Sequence, residues 1–158
     1  MAKEKRTASE QQLKPDTKYG SKIVGKFINC LMLKGKKSIA ENIFYGAMEI
    51  IAKQLKDVEP LKVFETAVEN VKPVMEVRSK RVGGASYQVP MQVNFKRQLS
   101  LSMRWIIEAA RGKKGQSMEK KLASELIDAY NKQGGAMTTR ENVHKMAEAN
   151  KAFAHFAW

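Results

Sequence analysis

Cysteine and histidine are scarce in this chain of 158 residues, which has one cysteine and two histidines. The single cysteine, Cys30, excludes an intrachain disulfide bond, so a reducing cytosol is the simplest expectation. These three residues also cannot build a structural zinc site of the Cys/His kind, and we expect neither a metal nor a cofactor. Because Cys30 lies inside an apolar helical run, we expect it to be a small core residue.

Long apolar runs are missing as well. No run approaches the roughly 18 residues that a membrane span requires, so we expect no membrane anchor. The charged start of the chain, Met1-Ala-Lys-Glu-Lys-Arg6, has no apolar stretch behind it, so we expect no secretory signal.

The residue types that perform catalysis are not grouped in the sequence. His144 and His155 have no nucleophile or orienting carboxylate nearby in sequence, so we expect surface or packing roles for both. The stretch from Gly20 to Lys26 is similar to a phosphate-binding loop, but Phe27 replaces the required Ser or Thr and no strand precedes it. We therefore predict that the protein is not an enzyme.

Acidic residues are outnumbered, with 16 Asp and Glu against 29 Lys and Arg, which gives a net charge of +13. The excess lies in two blocks. Residues 1–41 carry ten basic residues against four acidic ones, and residues 72–121 carry twelve against three. A merely soluble surface tends to intersperse the two signs, so this distribution indicates a polyanionic partner.

Apolar residues recur at helical spacing in six segments, which predicts a mainly α fold. We expect a six-helix bundle, with one protruding β-hairpin arm between helices three and four, in a single domain spanning residues 1–158. The polar residues 1–18 are expected to form a flexible basic arm. The predicted apolar faces lie within residues 23–31, 39–51, 61–71, 95–106, 122–130 and 143–147.

Turn and capping residues predict where several helices begin and end. Pro60 suits the first turn of the third helix, and Ser117 precedes the fifth. Gly134-Gly135 is expected to end the fifth helix. Ser38-Ile-Ala-Glu41 and Thr138-Thr-Arg-Glu141 have the form of capping boxes, although the second helix has room to begin one turn earlier.

The hairpin arm is predicted over about residues 74–90. Gly83-Gly84 separates two short runs of strand-forming residues, and glycine reaches the positive φ values that a tight hairpin turn requires. Arg78, Lys80 and Arg81 lead into the turn. Because unpaired charges are rarely buried, we expect this ribbon to project from the body and to lie along an anionic partner.

RNA is the polyanion that the sequence favours. Lys34, Lys36 and Lys37 stand at a predicted helix–helix junction, where exposed ammonium groups and helix amides favour phosphate. Tyr45, Tyr87 and Trp105 are candidates to stack on bases, with Trp105 more expected in the core. The candidate RNA contacts are Lys3, Lys5, Arg6, Lys26, Lys34, Lys36, Lys37, Arg78, Lys80, Arg81, Lys96, Arg97, Arg104, Arg111, Lys113 and Lys114.

An architectural DNA-binding protein with a basic β-arm is the alternative. Such arms usually carry an apolar wedge or a proline near the tip, whereas this tip is Gly83-Gly84 and Pro90 lies well behind it. They also usually act as dimer pairs, so a stable dimer in solution would favour this alternative.

Several motifs together resemble the small-subunit ribosomal protein seven family of the bacterial type, at family spacing over about residues 15–158. They are Lys26-Phe-Ile-Asn29, Gly35-Lys-Lys-Ser38, Pro60-Leu-Lys-Val-Phe-Glu65, Asn70-Val71, the whole segment Glu76–Pro90, Arg104-Trp-Ile106, Ala109-Ala-Arg111 and the run Met146–His155.

The resemblance implies a primary binder of small-subunit ribosomal RNA that nucleates the head, the 3′ major domain. It also implies a cytoplasmic position at the subunit interface, near exit-site tRNA and the mRNA exit path. Lys36, Lys37, Arg78, Lys80 and Arg81 match family positions for RNA contacts. The implied neighbours are small-subunit ribosomal proteins nine, eleven, thirteen and nineteen. The residues implied near exit-site tRNA and the mRNA path are Val82, Gly83, Gly84, Ala85 and Tyr87.

Overall fold

A computed structural model describes residues 14–156 and confirms the mainly α fold with a hairpin arm. Six α-helices, one two-stranded antiparallel sheet and a C-terminal 3₁₀ helix make up this part of the chain. The elements are α1 (Lys22–Leu31), α2 (Lys37–Gln54), α3 (Pro60–Val71), β1 (Met75–Val82), β2 (Ala85–Gln92), α4 (Phe95–Gly112), α5 (Met118–Tyr130), α6 (Gly135–Ala149) and the 3₁₀ helix (Lys151–Phe156).

The core lies between the helices and forms around α5, which packs against α2, α3 and α4. Phe27, Phe44 and Phe64 are fully buried. The ring of Phe64 meets the other two edge to face, with centroids 5.1 Å from Phe27 and 5.3 Å from Phe44. Such pairs add favourable quadrupole contacts to the burial of apolar area, so three separate helices are joined at one point.

The hairpin has the predicted two-residue turn. Val82 pairs with Ala85, and Gly83 and Gly84 between them have φ of +57° and +89°. The strands extend two residues beyond the predicted end of the arm, to Gln92. Both strands pack against α6, and β2 also packs against the 3₁₀ helix, so the arm is attached to the body along part of its length.

Two predicted helix starts are confirmed, the start of α6 at Thr138 is wrong, and α2 starts before the capping box at Ser38, in the direction that the sequence left open. Pro60 opens α3, and Ser117 precedes α5. Neither capping box forms, because α2 begins at Lys37 and α6 at Gly135, which places Ser38 and Thr138 inside the helices. In α6 the cap comes from another helix: Oε1 of Glu125 accepts a hydrogen bond from the Ala136 amide at 2.9 Å.

Gly134-Gly135 begins α6, so the prediction that these glycines end α5 is wrong. Helix α5 ends at Tyr130, four residues earlier. Gly134 has φ of +92°, and a Cβ there would lie 2.9 Å from Cβ of Asp128. The glycine is needed because the chain turns sharply against the end of α5 before the next helix starts.

Within residues 14–18, Asp16 is buried against the bundle, while the other four residues are exposed, so the flexible arm expected over residues 1–18 stays a prediction. The buried Asp16 accepts hydrogen bonds from the amides of Lys18 and Tyr19 and from the hydroxyl of Tyr45. Gly25 of α1 lies so close that a Cβ would stand 2.7 Å from the Lys14 carbonyl oxygen. Residues 1–13, with the candidates Lys3, Lys5 and Arg6, lie outside the described residues.

Cys30 is exposed, and the prediction that it is a core residue is wrong. The buried face of α1 is formed by Val24, Phe27, Ile28 and Leu31, and Cys30 points away from it. A helix of ten residues winds almost three turns, so a position within the helix does not by itself place a side chain on the buried face.

Candidate nucleic-acid interface

Helix α4 carries a line of arginines along its exposed side. Arg97, Arg104 and Arg111 are spaced seven residues apart, and all three are exposed. Seven residues bring a helix back to within about 20° of the same direction, so these side chains share one face. Fourteen residues rise about 21 Å along the axis. The spacing is visible in the sequence, but the charge blocks predicted there do not separate these three arginines, which we call the stripe, from the other basic residues.

The C-terminal end of this stripe meets the junction between α1 and α2. The guanidinium of Arg111 donates to the carbonyl oxygen of Leu31, the last residue of α1, at 3.1 Å. Lys34 and Lys36 follow in the exposed turn that leads to α2, and Lys37 is the first residue of that helix. The structure therefore brings the two basic blocks of the sequence together at one end of the bundle.

Arg104, in the middle of the stripe, and Lys26 of α1 both act electrostatically on Cys30 of α1. Neighbouring atoms desolvate this exposed thiol and raise its pKa, while the charges of Lys26 and Arg104 oppose the shift. Both cations are therefore close to the same sulfur. Arg104 also donates to the Ser100 hydroxyl at 3.1 Å, one turn earlier in α4.

The N-terminal end of the stripe meets the base of the hairpin arm. Glu76 of β1 is buried, with 7% of its surface exposed. Its two carboxylate oxygens accept hydrogen bonds from Nε of Arg78 at 2.5 Å and from Nε of Arg97 at 2.6 Å. This shared carboxylate fixes one arginine of the arm beside one arginine of α4.

Lys113 is arranged differently from the other predicted RNA contacts. Its ammonium lies 2.9 Å from Oε2 of the fully buried Glu125 and 2.8 Å from Asp128. Burial by itself would lower the pKa of Lys113, but hydrogen bonds to Asp128 and Glu125 outweigh it and raise the pKa above its ordinary value. Lys114, the next residue, is exposed. An RNA contact from Lys113 stays a prediction, and its ammonium is bound within the protein.

The arm presents both basic and aromatic side chains. Arg81 is exposed near the tip, and a Cβ at Gly83 or Gly84 would meet no atom within 4 Å, so the turn stands in open space. Tyr87, a predicted base-stacking residue, packs against Phe153 and Phe156 of the 3₁₀ helix, with ring centroids 5.3 and 5.2 Å apart.

The other two aromatic candidates and both histidines have roles within the described structure. Tyr45 bonds to Asp16, and Trp105 packs partly buried against the core. Nε2 of His144 accepts a hydrogen bond from the Val74 amide at 3.1 Å. Nδ1 of His155 lies 2.9 Å from the Ala152 carbonyl oxygen.

Within residues 14–156 no group of three or more Cys, His, Asp and Glu residues is placed to hold a metal ion. None of the helices described there is both long and apolar enough to cross a membrane.

Comparisons with known proteins agree on one family. The family model described as Ribosomal protein S7p/S5e matches residues 3–151. Small ribosomal subunit protein uS7 of Rhodopirellula baltica is 60% identical over 153 residues, covering 96% of this chain and 98% of the relative. The protein of the same name from Thermotoga neapolitana is 54% identical over 154 residues, covering 98% and 99%. This chain therefore belongs to the uS7 family of small-subunit ribosomal proteins.

Proposed function

We propose that the protein is a non-catalytic structural component of the small ribosomal subunit in the cytoplasm, and that it binds small-subunit ribosomal RNA. The names of its relatives support the first part. The basic surface that joins α4, the α1–α2 junction and the base of the arm is the observation that carries the second. The row of exposed arginines along α4 is about 21 Å long, so it can contact several successive phosphates of a nucleic-acid backbone. Contacts to phosphates supply most of the affinity of proteins for nucleic acids.

The finer proposal is that the RNA is the 3′ major domain and that binding nucleates assembly of the head. In this arrangement the bundle holds the RNA while the arm tip, Val82–Ala85, reaches exit-site tRNA and the mRNA exit path at the subunit interface. The open space around Gly83 and Gly84 supports such a contact. Ribosomal proteins nine, eleven, thirteen and nineteen of the small subunit are the proposed neighbours.

A salt titration tests the RNA proposal. We expect the affinity for a 3′ major-domain RNA fragment to fall by orders of magnitude between low and moderate salt, because each neutralised phosphate releases counterions. The double variant Lys36→Gln/Lys37→Gln should bind more weakly and show a shallower salt dependence. Lys53→Gln/Lys56→Gln is the matched control. It removes the same charge from two exposed lysines at the other end of α2, one in its last turn and one just after the helix ends. Equal effects of the two variants would reject the proposed surface.

The same titration separates RNA from DNA. Duplex DNA of matched length should bind more weakly than the RNA fragment at every salt concentration. A stable dimer that binds the DNA as tightly as the RNA would instead support the architectural alternative. The glycine tip gives that alternative no wedge, because neither Gly83 nor Gly84 has a side chain to insert between base pairs.

A further inference from the structure

Glu76 is an acidic residue in the most basic part of the surface. It lies at the start of β1, it is 7% exposed, and both of its oxygens are bonded to arginines. Simple electrostatics predicts that an acid here weakens the binding of a polyanion. Its placement between Arg78 and Arg97 suggests the opposite effect.

Both arginines use the same atom to bind Glu76. Each donates through Nε, at 2.5 Å from Arg78 and 2.6 Å from Arg97, which leaves the terminal nitrogens of both guanidinium groups for another acceptor. The side chains of Arg78 and Arg97 remain 51% and 43% exposed. No second carboxylate within residues 14–156 forms an ion pair with either arginine.

Glu76 also restrains both arginine side chains at one point. One arginine comes from the arm and the other from the first turn of α4, two elements that would otherwise place their long side chains independently. Holding a guanidinium by its Nε side reduces the rotamer freedom that ligand binding must remove. The amide end of α4, capped at Arg97 by Asn94, adds partial positive charge beside the pair.

We propose that Glu76, Arg78 and Arg97 form a phosphate clamp: a phosphodiester of the bound RNA lies between the two guanidinium groups, and Glu76 is the positioning residue that orients them. One buried negative charge against two positive charges leaves the clamp cationic. This inference rests on the proposed RNA-binding function and specifies a site within it.

The sign of one substitution tests the clamp. Glu76→Gln removes a negative charge, so a surface that acts only through net charge should bind RNA more tightly. The clamp predicts about tenfold weaker binding to the 3′ major-domain fragment, because an amide cannot hold both guanidinium groups by charge-assisted hydrogen bonds. Glu108→Gln is the matched control, since Glu108 is an exposed acid on α4; its affinity should stay equal or rise slightly.

A second pair of variants keeps the test valid if Glu76→Gln perturbs the fold, which thermal unfolding would reveal. Arg97→Lys retains the charge and the Glu76–Arg78 pair but cannot give the same planar arrangement. We expect it to lose nearly as much affinity as Arg97→Gln, whereas affinity equal to the wild type would overturn the clamp. Tighter binding by a folded Glu76→Gln protein would overturn it too, while leaving the RNA-binding function standing. A wild-type protein that fails to bind the fragment would reject both.

Discussion

Lys113 and Lys114 are neighbours in a basic loop, but their side chains have different surroundings. Lys113 compensates the buried carboxylate of Glu125, whose other oxygen caps α6. Removing one partner of a buried ion pair leaves the other charge uncompensated, which is the costly change. A substitution at Lys113 should therefore mainly lower stability, whereas a substitution at Lys114 should mainly weaken RNA binding.

We expect Lys113→Met to lower the free energy of unfolding by about 1–3 kcal/mol, less than for a fully buried pair because the Lys113 side chain is 31% exposed. Lys114→Met should change it by less than about 0.5 kcal/mol, as for most surface residues, and should weaken RNA binding instead. Urea denaturation and binding to the 3′ major-domain fragment measure the two effects. If Lys113→Met keeps its stability and loses RNA affinity as Lys114→Met does, Lys113 is a direct RNA contact.

His144 makes the attachment of the arm to α6 sensitive to pH. Nε2 accepts the Val74 amide hydrogen just before β1, so the ring must be neutral at that nitrogen. Burial lowers the pKa of His144, and the nearby charge of Arg140 lowers it further. A histidine whose pKa is lower in the folded protein binds more protons when unfolded. Its contribution to stability is therefore present above about pH 6.5 and is lost as the pH falls below that value.

His144→Gln provides the comparison, because the amide oxygen of Gln accepts a hydrogen bond without titrating. We expect the wild type to lose more thermal stability than this variant when the pH falls from about 7.5 to about 5.0, a range that includes the ordinary histidine pKa of about 6.5. The amide signals of residues 74 and 75 should shift in the wild type over the same range. Parallel loss of stability in the two proteins would show that protonation of His144 does not matter to the fold.

At the scale of elements, the 3₁₀ helix braces the arm. Tyr87 packs against Phe153 and Phe156, and Nζ of Lys80 donates to the Phe156 carbonyl oxygen at 2.9 Å. A two-stranded hairpin is marginally stable alone, so contacts of this kind set its direction and order. The 3₁₀ helix itself contains no buried residue, so it contributes no side chain to the core.

The double variant Phe153→Ala/Phe156→Ala should therefore free the arm and leave the helices folded. We expect NMR relaxation to report faster motion over about residues 78–89, with helix content unchanged by circular dichroism. Phe95→Ala is a suitable control, because Phe95 is an exposed aromatic residue that packs under Lys72, away from the 3₁₀ helix. An arm that remains as ordered as in the wild type would show that α6 alone holds it.

The sequence allowed the elements to be predicted better than their ends. Helical periodicity and diglycine turns are local signals, and all six helices and the hairpin turn were found from them. The start of α6 depends on Glu125, which caps it from the neighbouring helix α5, and no local pattern contains that information. The prediction that Cys30 is buried was wrong for a related reason, because the elements that pack against a helix decide which of its faces is buried.

The sequence predicts which basic residues belong to the candidate site, but it says much less about how they are arranged in space. Both basic blocks are visible in the sequence, and so is the spacing of Arg97, Arg104 and Arg111. That the blocks meet depends on α1 and α4 ending side by side, which the Arg111–Leu31 hydrogen bond records. The ion pairs Lys113–Glu125 and Glu76–Arg97 join different elements, so neither followed from local charge patterns.

At the scale of the whole molecule, the charge that favours RNA works against the free protein. A net charge of +13 on a single bundle produces self-repulsion among the exposed cations, many of which lie on one surface. Salt screens this repulsion, because the Debye length falls from roughly 10 Å at 0.1 M to roughly 3 Å at 1 M. Binding of RNA removes the same repulsion by supplying phosphates.

Salt should therefore change stability and binding in opposite directions. Between about 0.05 and 0.3 M salt, a range set by the Debye length, we expect the melting temperature of the free protein to rise by about 2–4 °C, the shift that about 1 kcal/mol produces in a domain of this size. Over the same range the affinity for the RNA fragment should fall by orders of magnitude. In Lys36→Gln/Lys37→Gln both responses should be smaller, whereas Lys53→Gln/Lys56→Gln should retain the full loss of affinity. A melting temperature that falls with salt would mean that ion pairs such as Lys113–Glu125 outweigh the repulsion, and that the basic surface does not strain the free protein.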